Sequence, residues 1–433
     1  MKKQLFLITL LLACLHAIAQ DVPTPAPAQQ ERISLKGGTV HVGNGVVIEN
    51  GIVVFEKGKI EGVFKNAELP SNFNLGKIID VTGKQVYPGL IALNTTLGIT
   101  EIEAVRATND FREVGDASPN AKAIVAYNTD SRVTPTVRSN GVLYAQIMPH
   151  GGMITGTSAV VQLDAWNWED AAVNTTDGLL INWPSMYNRK GWWAEPGGYE
   201  ENKNYISETN KIKEYLLEAK SYQYTENNKK NLRFEAMKAV LENKANLYIE
   251  VNYVKEILDA ISMCEELNIQ PVLVGARDAY LIADILAEKK IAVVLFETAS
   301  LPSYQDEDIQ QPYKTPAILQ KAGVQYCVTN SGFWQVRNLA FQAGMAVGYG
   351  LSKEEALSSI TLNAAKILKL DAKIGSLEKG KSASIIVSSG DVLDMQSSEI
   401  VLAYIDGRAI DLDNKQTALA KKFSQKYGIE LKK

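Results

Sequence analysis

The side chains that could do chemistry are few. Three histidines serve 433 residues: His16, His41 and His150. His150 stands in "MPHGGMITG", where an apolar run gives way to glycines. It could carry a proton or simply belong to a tight loop. "LYIEVN" ends another apolar run on Glu250, and "VLVGARDAY" ends a third on Arg277 and Asp278. Glu250 could act as a general base or pair with Arg277 across adjacent strand ends, and Asp278 suits an N-cap for the helix after it. In "PGLIALNTTLG" an apolar run turns polar at Asn94 and Thr96, and in "CVTNSG" at Asn330. Amides and hydroxyls both donate and accept, so Asn94, Thr96, Glu250, Arg277 and Asn330 form a candidate ligand-binding set. A hydrolytic metal site needs several imidazoles and carboxylates converging on one ion. One histidine near a strand end cannot supply them, so no metal ligand is assigned, no cofactor is expected, and Glu250 and His150 are the only catalytic candidates. Glu101, Glu103, Asp110, Glu113 and Asp116 form an acidic loop; paired carboxylates can act on glycosidic bonds, but this loop is no evidence for that activity. Trp192 and Trp193, flanked by charged residues and glycines, are candidate contacts for a substrate or a partner subunit.

The elements that must position these groups show in the hydrophobic pattern. Residues 31–87 alternate Val and Ile with polar residues between Asn-Gly and Lys-Gly turns, and "SASIIVSSG" and "IVLAYIDGRAIDL" repeat that texture near the other end. The middle of the chain alternates short apolar runs with helix-period segments such as "NYVKEILDAISMCEELN". Runs at 90–93, 142–148, 159–163, 179–182, 247–251, 271–274, 292–296 and 324–328 predict an α/β protein with a (β/α)₈ TIM-type barrel over residues 88–370. Residues 31–87 and 371–413 would then form a small β-sandwich module. A polar helical insertion is expected at about 185–245, and residues 414–433 read as a C-terminal tail. Chemistry in such a barrel sits at the C-terminal ends of its strands, where the candidates above fall.

Lys2 and Lys3, the apolar stretch after them and Ala17-Ile18-Ala19 read as a signal peptide over residues 1–19, giving a secreted or periplasmic protein. The stretch is shorter than the roughly 20 residues a membrane span needs, so no transmembrane segment is expected after its removal. Cys14 in "LAC" leaves a lipoprotein alternative, opposed by the apolar Leu15. Residues 20–30, rich in Pro and Ala, read as a disordered tether. Losing residues 1–19 removes two lysines and no acids, so a net charge of −4 becomes −6. With no basic block, nucleic acid is not an expected partner. Cys264 and Cys327 sit in apolar segments and read as buried thiols.

Longer stretches resemble the amidohydrolase superfamily, in its secreted, imidazolonepropionase-like branch. "GGTVHVGNGVVIENGIVVFEKGKI" resembles the opening β-module and "PGLIALNTTLG" the first barrel strand. "TEIEAVRATNDFREVGDASPNAKAIVAYNTDS" resembles the loop and helix that follow, and "GGMITGTSAVVQLDAWNWEDA" the Gly-rich loop. "GLSKEEALSSITLNAAKILKLDAKIGSLEKGKSASIIV" resembles the last helices and the turn back into the module. The resemblance implies hydrolysis of C–N bonds in cyclic amides or dipeptide-like substrates by one or two divalent metals such as zinc. It places the first-strand His-x-His on Asn94 and Thr96, the fifth-strand histidine on Glu250, the sixth at Gly275-Ala276 and the eighth-strand aspartate on Asn330. "LLINWP" offers no lysine, and the usual Ala-Asp before the final strand is Ala383-Ser384. Three functions follow as expectations: a pseudo-hydrolase partnering an active amidohydrolase paralogue or a second copy, an active hydrolase with an atypical site around Glu250 and His150, or a protein that binds a small molecule in the barrel mouth.

Overall fold

The computed structural model describes residues 24–192, 194–223, 229–302 and 306–430. The expected signal peptide, the lipoprotein alternative at Cys14 and the candidate Trp193 lie outside the described residues. Five strands open the fold: β1 (Ile33–His41), β2 (Val47–Glu56), β3 (Lys59–Lys65), β4 (Lys77–Asp80) and β5 (Gln85–Pro88). Then come β6 (Leu90–Thr95), β7 (Val142–Ile147), β8 (Ile154–Gln162), β9 (Ala172–Asn182), β10 (Tyr187–Trp192) and β11 (Glu195–Glu201). The rest are β12 (Asn246–Val251), β13 (Pro271–Gly275), β14 (Ala292–Leu295), β15 (Tyr326–Val328), β16 (Ile385–Ser388), β17 (Ile400–Ile405) and β18 (Arg408–Ala409).

Two large sheets result. The first runs β18-β17-β16-β5-β1-β2-β3, with β4 beside β1, and joins both ends of the chain. Its core of Leu35, Val40, Val53, Phe55, Val86, Ile385 and Tyr404 is separate from the larger core under the second sheet. Only Gly89 separates β5 from β6, so the chain changes sheet in one step. A Cβ there would meet the Leu143 side chain at 2.6 Å, which is why glycine occupies it.

The second sheet runs β15-β14-β13-β12-β9-β8-β7-β6. It curls until its two edges approach: Thr329 Oγ1 donates to Leu93 O at 2.6 Å, and Thr95 Oγ1 to Gly332 O at 2.7 Å. One strand departs from the regular (β/α)₈ expectation. β8 is antiparallel to both β7 and β9. Residues 148–153 and 163–171 are too few for a crossover helix, which needs a dozen or more residues, so the chain reverses instead. The five strands β9, β12, β13, β14 and β15 are mutually parallel.

The segment expected to be helical over 185–245 opens with the exposed hairpin β10–β11. Gly191 and Pro196-Gly197-Gly198 disfavour helix there. Helices Tyr205–Ser221 and Leu232–Leu241 follow, the first burying Tyr205, Ile212, Leu216 and Ala219 along one stripe. The expected tail carries helix Lys415–Tyr427, capped by Asn414, whose side chain accepts from the Gln416 and Thr417 amides. Cys264 and Cys327 are both free and buried. Among the described residues no helix is long and apolar enough to cross a membrane.

Residues 24–30, expected as a disordered tether, make defined hydrogen bonds. Ala26 N donates to Asp164 Oδ2 at 2.9 Å, and Arg408 donates to Ala26 O at 3.0 Å. Gln29 accepts from Gly58 N and donates to Phe55 O. Asp164 also takes Arg138 on Oδ1 at 2.5 Å and Arg408 on Oδ2 at 2.8 Å, and its side chain is 2% exposed. A buried carboxylate needs such partners, and the extended Pro/Ala segment has a free backbone N–H to offer.

A second junction ties the first sheet to helix Lys353–Ser359. His41 Nδ1 meets Glu354 Oε1 at 2.6 Å and Nε2 meets Gln85 Oε1 at 2.9 Å, while the ring stacks on Tyr87. Both ring nitrogens face oxygen acceptors, which favours the imidazolium. Burial alone would lower the His41 pKa, but the bonds to Glu354 and Gln85 and the Glu354 charge raise it above 6.5.

Candidate functional site at the barrel mouth

β6 ends on Asn94, whose φ of +52° is left-handed. Asparagine tolerates that region better than most residues. Its backbone N–H donates to Gln146 Oε1 at 2.9 Å. The side chain is buried, and neither Oδ1 nor Nδ2 has a hydrogen-bond partner. Asn330, two residues past β15, is likewise buried with an unpartnered Oδ1. The Thr329–Leu93 and Thr95–Gly332 bonds flank the two asparagines, so they stand on neighbouring strand ends. Thr96 is buried close by in sequence.

Glu250 lies near the end of β12, opposite Asn182 and Val274 in register. It is half-buried, and desolvation raises its pKa. The expected pair with Arg277 does not form: Arg277 is exposed, and no ion pair joins the two. The reason lies in the backbone. Gly275 and Ala276 have φ of +77° and +42°, and this left-handed step carries the chain out of β13 before Arg277. A Cβ on Gly275 would lie 2.9 Å from Asn252 Oδ1 and 3.2 Å from the Phe296 ring, so a larger residue would be both crowded and strained. Asp278 is buried and accepts from Val254 N at 2.9 Å. It therefore serves the start of the preceding helix, Val254–Glu266, rather than capping its own.

His150 belongs to a different place. It lines a cleft of about 500 Å³ with Phe111, Arg112, Lys122, Pro149 and Thr155, and its backbone N–H donates to Phe111 O at 2.8 Å. Burial lowers its pKa, so it is neutral at pH 7. Glu250 does not line this cleft, and no hydrogen bond joins the two residues. Asp110 and Glu113 of the acidic loop line it, while Asp116 pairs with Lys211. Trp192 is exposed on the hairpin.

Sequence reasoning passed over a buried polar chain beneath Asn94. Asp177 Oδ2 accepts from Gln146 Nε2 at 2.5 Å, from Tyr248 OH at 2.9 Å and from Ser158 Oγ at 3.1 Å. Asn246 Nδ2 donates to Tyr248 OH and to Ile367 O. Burial raises the Asp177 pKa, against the three donors that lower it. Its only signal in the sequence is a set of single polar residues inside apolar runs, as in "YAQIM" and "DGLLIN".

The residues at the mouth do not fit a catalytic metal. Among the described residues no three His, Cys, Asp or Glu side chains are grouped to hold an ion. The positions that resemblance assigns to ligands offer two amides, one hydroxyl, one carboxylate and a glycine with no room for a side chain. Zinc sites of hydrolases use three imidazole, carboxylate or thiolate ligands.

The profile of the amidohydrolase family matches residues 206–423. The structure of an amidohydrolase from Thermotoga maritima is 26% identical, with a TM-score of 0.72 over 88% of this chain and 99% of that one. An adenosine deaminase from Xanthomonas campestris with bound zinc is 14% identical, with a TM-score of 0.55 over 93% and 99% of the two chains. A Xaa-Pro dipeptidase with bound methionine is 13% identical, with a TM-score of 0.54 over 88% and 100%. The last two show a shared fold alone. No curated protein sequence matches the chain.

Proposed function

Because the chain belongs to the amidohydrolase family, we propose that it is a pseudo-hydrolase: it keeps the family fold and has given up metal-dependent hydrolysis of C–N bonds. In this reading it is exported and acts as the non-catalytic partner of an active relative in the imidazolonepropionase-like branch. One observation carries the proposal. The strand ends where such a site would lie bring together neutral or sterically closed positions, and the one acid among them, Glu250, stands without a basic partner. An amide at residue 330 cannot take a proton from an attacking water as a carboxylate would.

The direct test is elemental analysis of the purified mature protein. No stoichiometric zinc, manganese or iron is expected, and about one ion per chain surviving mild chelation would overturn the reading. Intact mass tests export: the chain should begin at Gln20, and a retained Met1 or a lipidated Cys14 would count against it.

A second reading, an active hydrolase at Glu250 and His150, has one supporting observation. Burial raises the Glu250 pKa above the usual carboxylate value, a direction that favours a proton-exchanging role. His150, however, lines its own cleft and is not positioned by Glu250. If Glu250 works alone, Glu250→Gln should abolish any hydrolysis that His150→Ala leaves intact.

A further inference from the structure

We propose that helix Lys415–Tyr427 docks the protein on an anionic lipid surface, with Leu419, Phe423 and Tyr427 in the bilayer interface and the helix lysines among the headgroups. The inference is independent of whether the barrel mouth binds metal. It starts from a 13-residue helix that has no buried residue. A helix of that length is marginal in water unless an apolar face packs on something.

Leu419, Phe423 and Tyr427 follow one another at four-residue spacing and so share a stripe. They are 41%, 46% and 62% exposed. The Phe423 and Tyr427 rings stack only on each other, at 6.5 Å, and Lys426 Nζ lies 4.9 Å from the centre of the Tyr427 ring. The body of the protein meets a different face, where Thr417 and Ser424 are half-buried. The hold is at the first turn. Thr136 Oγ1 donates to Gln416 Oε1 at 2.7 Å, and Asn414 Nδ2 to Ser139 Oγ at 2.9 Å. Thr136 and Ser139 lead into β7 at its N-terminal end, so the helix stands away from the mouth.

Charge selects the occupant. The helix carries Lys415, Lys421, Lys422 and Lys426 and no acid, in a chain of net charge −4. Lys421 pairs with Asp413, while Lys415, Lys422 and Lys426 make no ion pair among the described residues. At the period of an α-helix these three run along one border of the apolar stripe. Packing the same helix of a second copy against it would set lysines against lysines, a like-charge contact that disfavours the pairing. Docking it instead on an acidic patch of a second copy is a head-to-tail contact that leaves open ends. An anionic bilayer takes both features at once: the stripe enters the interface and the lysine heads reach the phosphates. Among the described residues no helix is long and apolar enough to cross a membrane, so the contact lies on the surface.

Co-sedimentation with vesicles tests the idea on the chain made from Gln20 onward, which lacks the apolar leader. The probes are vesicles of phosphatidylcholine alone and of phosphatidylcholine mixed equally with phosphatidylglycerol. Binding to the mixed vesicles should be about tenfold tighter or more, and should fall as salt rises. Phe423→Ser should weaken it about tenfold. The double variant Lys422→Gln, Lys426→Gln should weaken it by about the same factor or more, since each lysine near an anionic surface contributes about fivefold. All three side chains are exposed, so thermal melts should not move. If a variant does fail to fold, the two vesicle types with the parent chain decide alone. No binding, equal binding to the two vesicle types, or binding untouched by either folded variant would overturn the proposal. Sedimentation velocity without vesicles supplies the other outcome. A dimer that Phe423→Ser abolishes would give the stripe to a second copy and overturn the lipid contact.

Discussion

Asp164 and Asn94, buried at opposite ends of the curled sheet, are satisfied to opposite degrees. At the base, beside the start of β7, Asp164 uses both carboxylate oxygens on Arg138, Arg408 and Ala26 N, and its own N–H and C=O bond to Gln162. At the mouth, Asn94 leaves both side-chain atoms unused. Burial is similar at the two residues; the Asp164 carboxylate is complete and the Asn94 amide is not, although Arg138 Nε at the base is also buried without a partner. Saturated polar groups hold parts of a fold together, while buried unsaturated ones carry a desolvation cost that nothing offsets. The base joins β8, β18 and the N-terminal segment, and the mouth joins nothing beyond its own strand ends.

The sharpest way to break this comparison is at the base. Asp164→Ala leaves two guanidinium groups near each other without the carboxylate that binds both, and with only the Asp411 charge acting on Arg138, and should cost about 3–5 kcal/mol in urea denaturation. A loss below about 1 kcal/mol would mean that solvent already screens the pair, and that the base is no more complete than the mouth.

The His41 junction should show its worth through pH. A folded pKa raised above 6.5 means that the stabilisation is fully present below pH 6.5 and disappears as pH rises through the folded value. Glu354→Gln should lose about 1.5 kcal/mol at pH 6 and flatten the decline seen in the parent toward alkaline pH. Parallel parent and variant profiles would remove His41 as the titrating group.

At the mouth the sign should reverse. Asn330→Leu removes a buried unpartnered acceptor and should raise stability by about 1 kcal/mol in the same denaturation assay. A loss of that size instead would mean that Asn330 already has its bonds in solution, and the contrast between the two ends would fail.

Asp177 should give the smallest effect, and it sharpens the comparison from within. All three of its donors converge on Oδ2, so Asp177→Asn can keep them with its amide oxygen in that place. Stability at pH 7 should change by less than about 1 kcal/mol. The raised pKa of the parent means that stability contributed by the protonated acid is present below 3.8 and falls as pH rises through the folded value. The variant should lack that fall.

The β-rich chain ends and the strand–helix alternation of the middle were legible because side-chain period reports directly on burial. The reversal of β8 was not, since periodicity shows a strand but not its direction; the short spans 148–153 and 163–171 were the readable sign. The polar helices that follow masked the hairpin β10–β11. At the site, Asn94, Thr96 and Asn330 could be placed at strand ends from the sequence, but the orphaned state of their amides depends on neighbours that only the fold supplies. Glu250 and Arg277 are close in register, yet the left-handed Gly275-Ala276 step separates their side chains. Asp164 and Asp177 are single acids in or beside apolar strands, and nothing in one sequence says which distant donors will meet them.

The bond between Ala26 and Asp164 also fixes an orientation. From Ala26 the described chain enters the folded body at the base, the end of the curled sheet opposite the mouth. A pull on that end reaches Asp164 and its two arginines before any strand that carries Asn94 or Asn330. The junction thus lies between the N-terminal segment and the strands that carry Asn94 and Asn330, and load entering through Ala26 falls first on bonds that the mouth does not share.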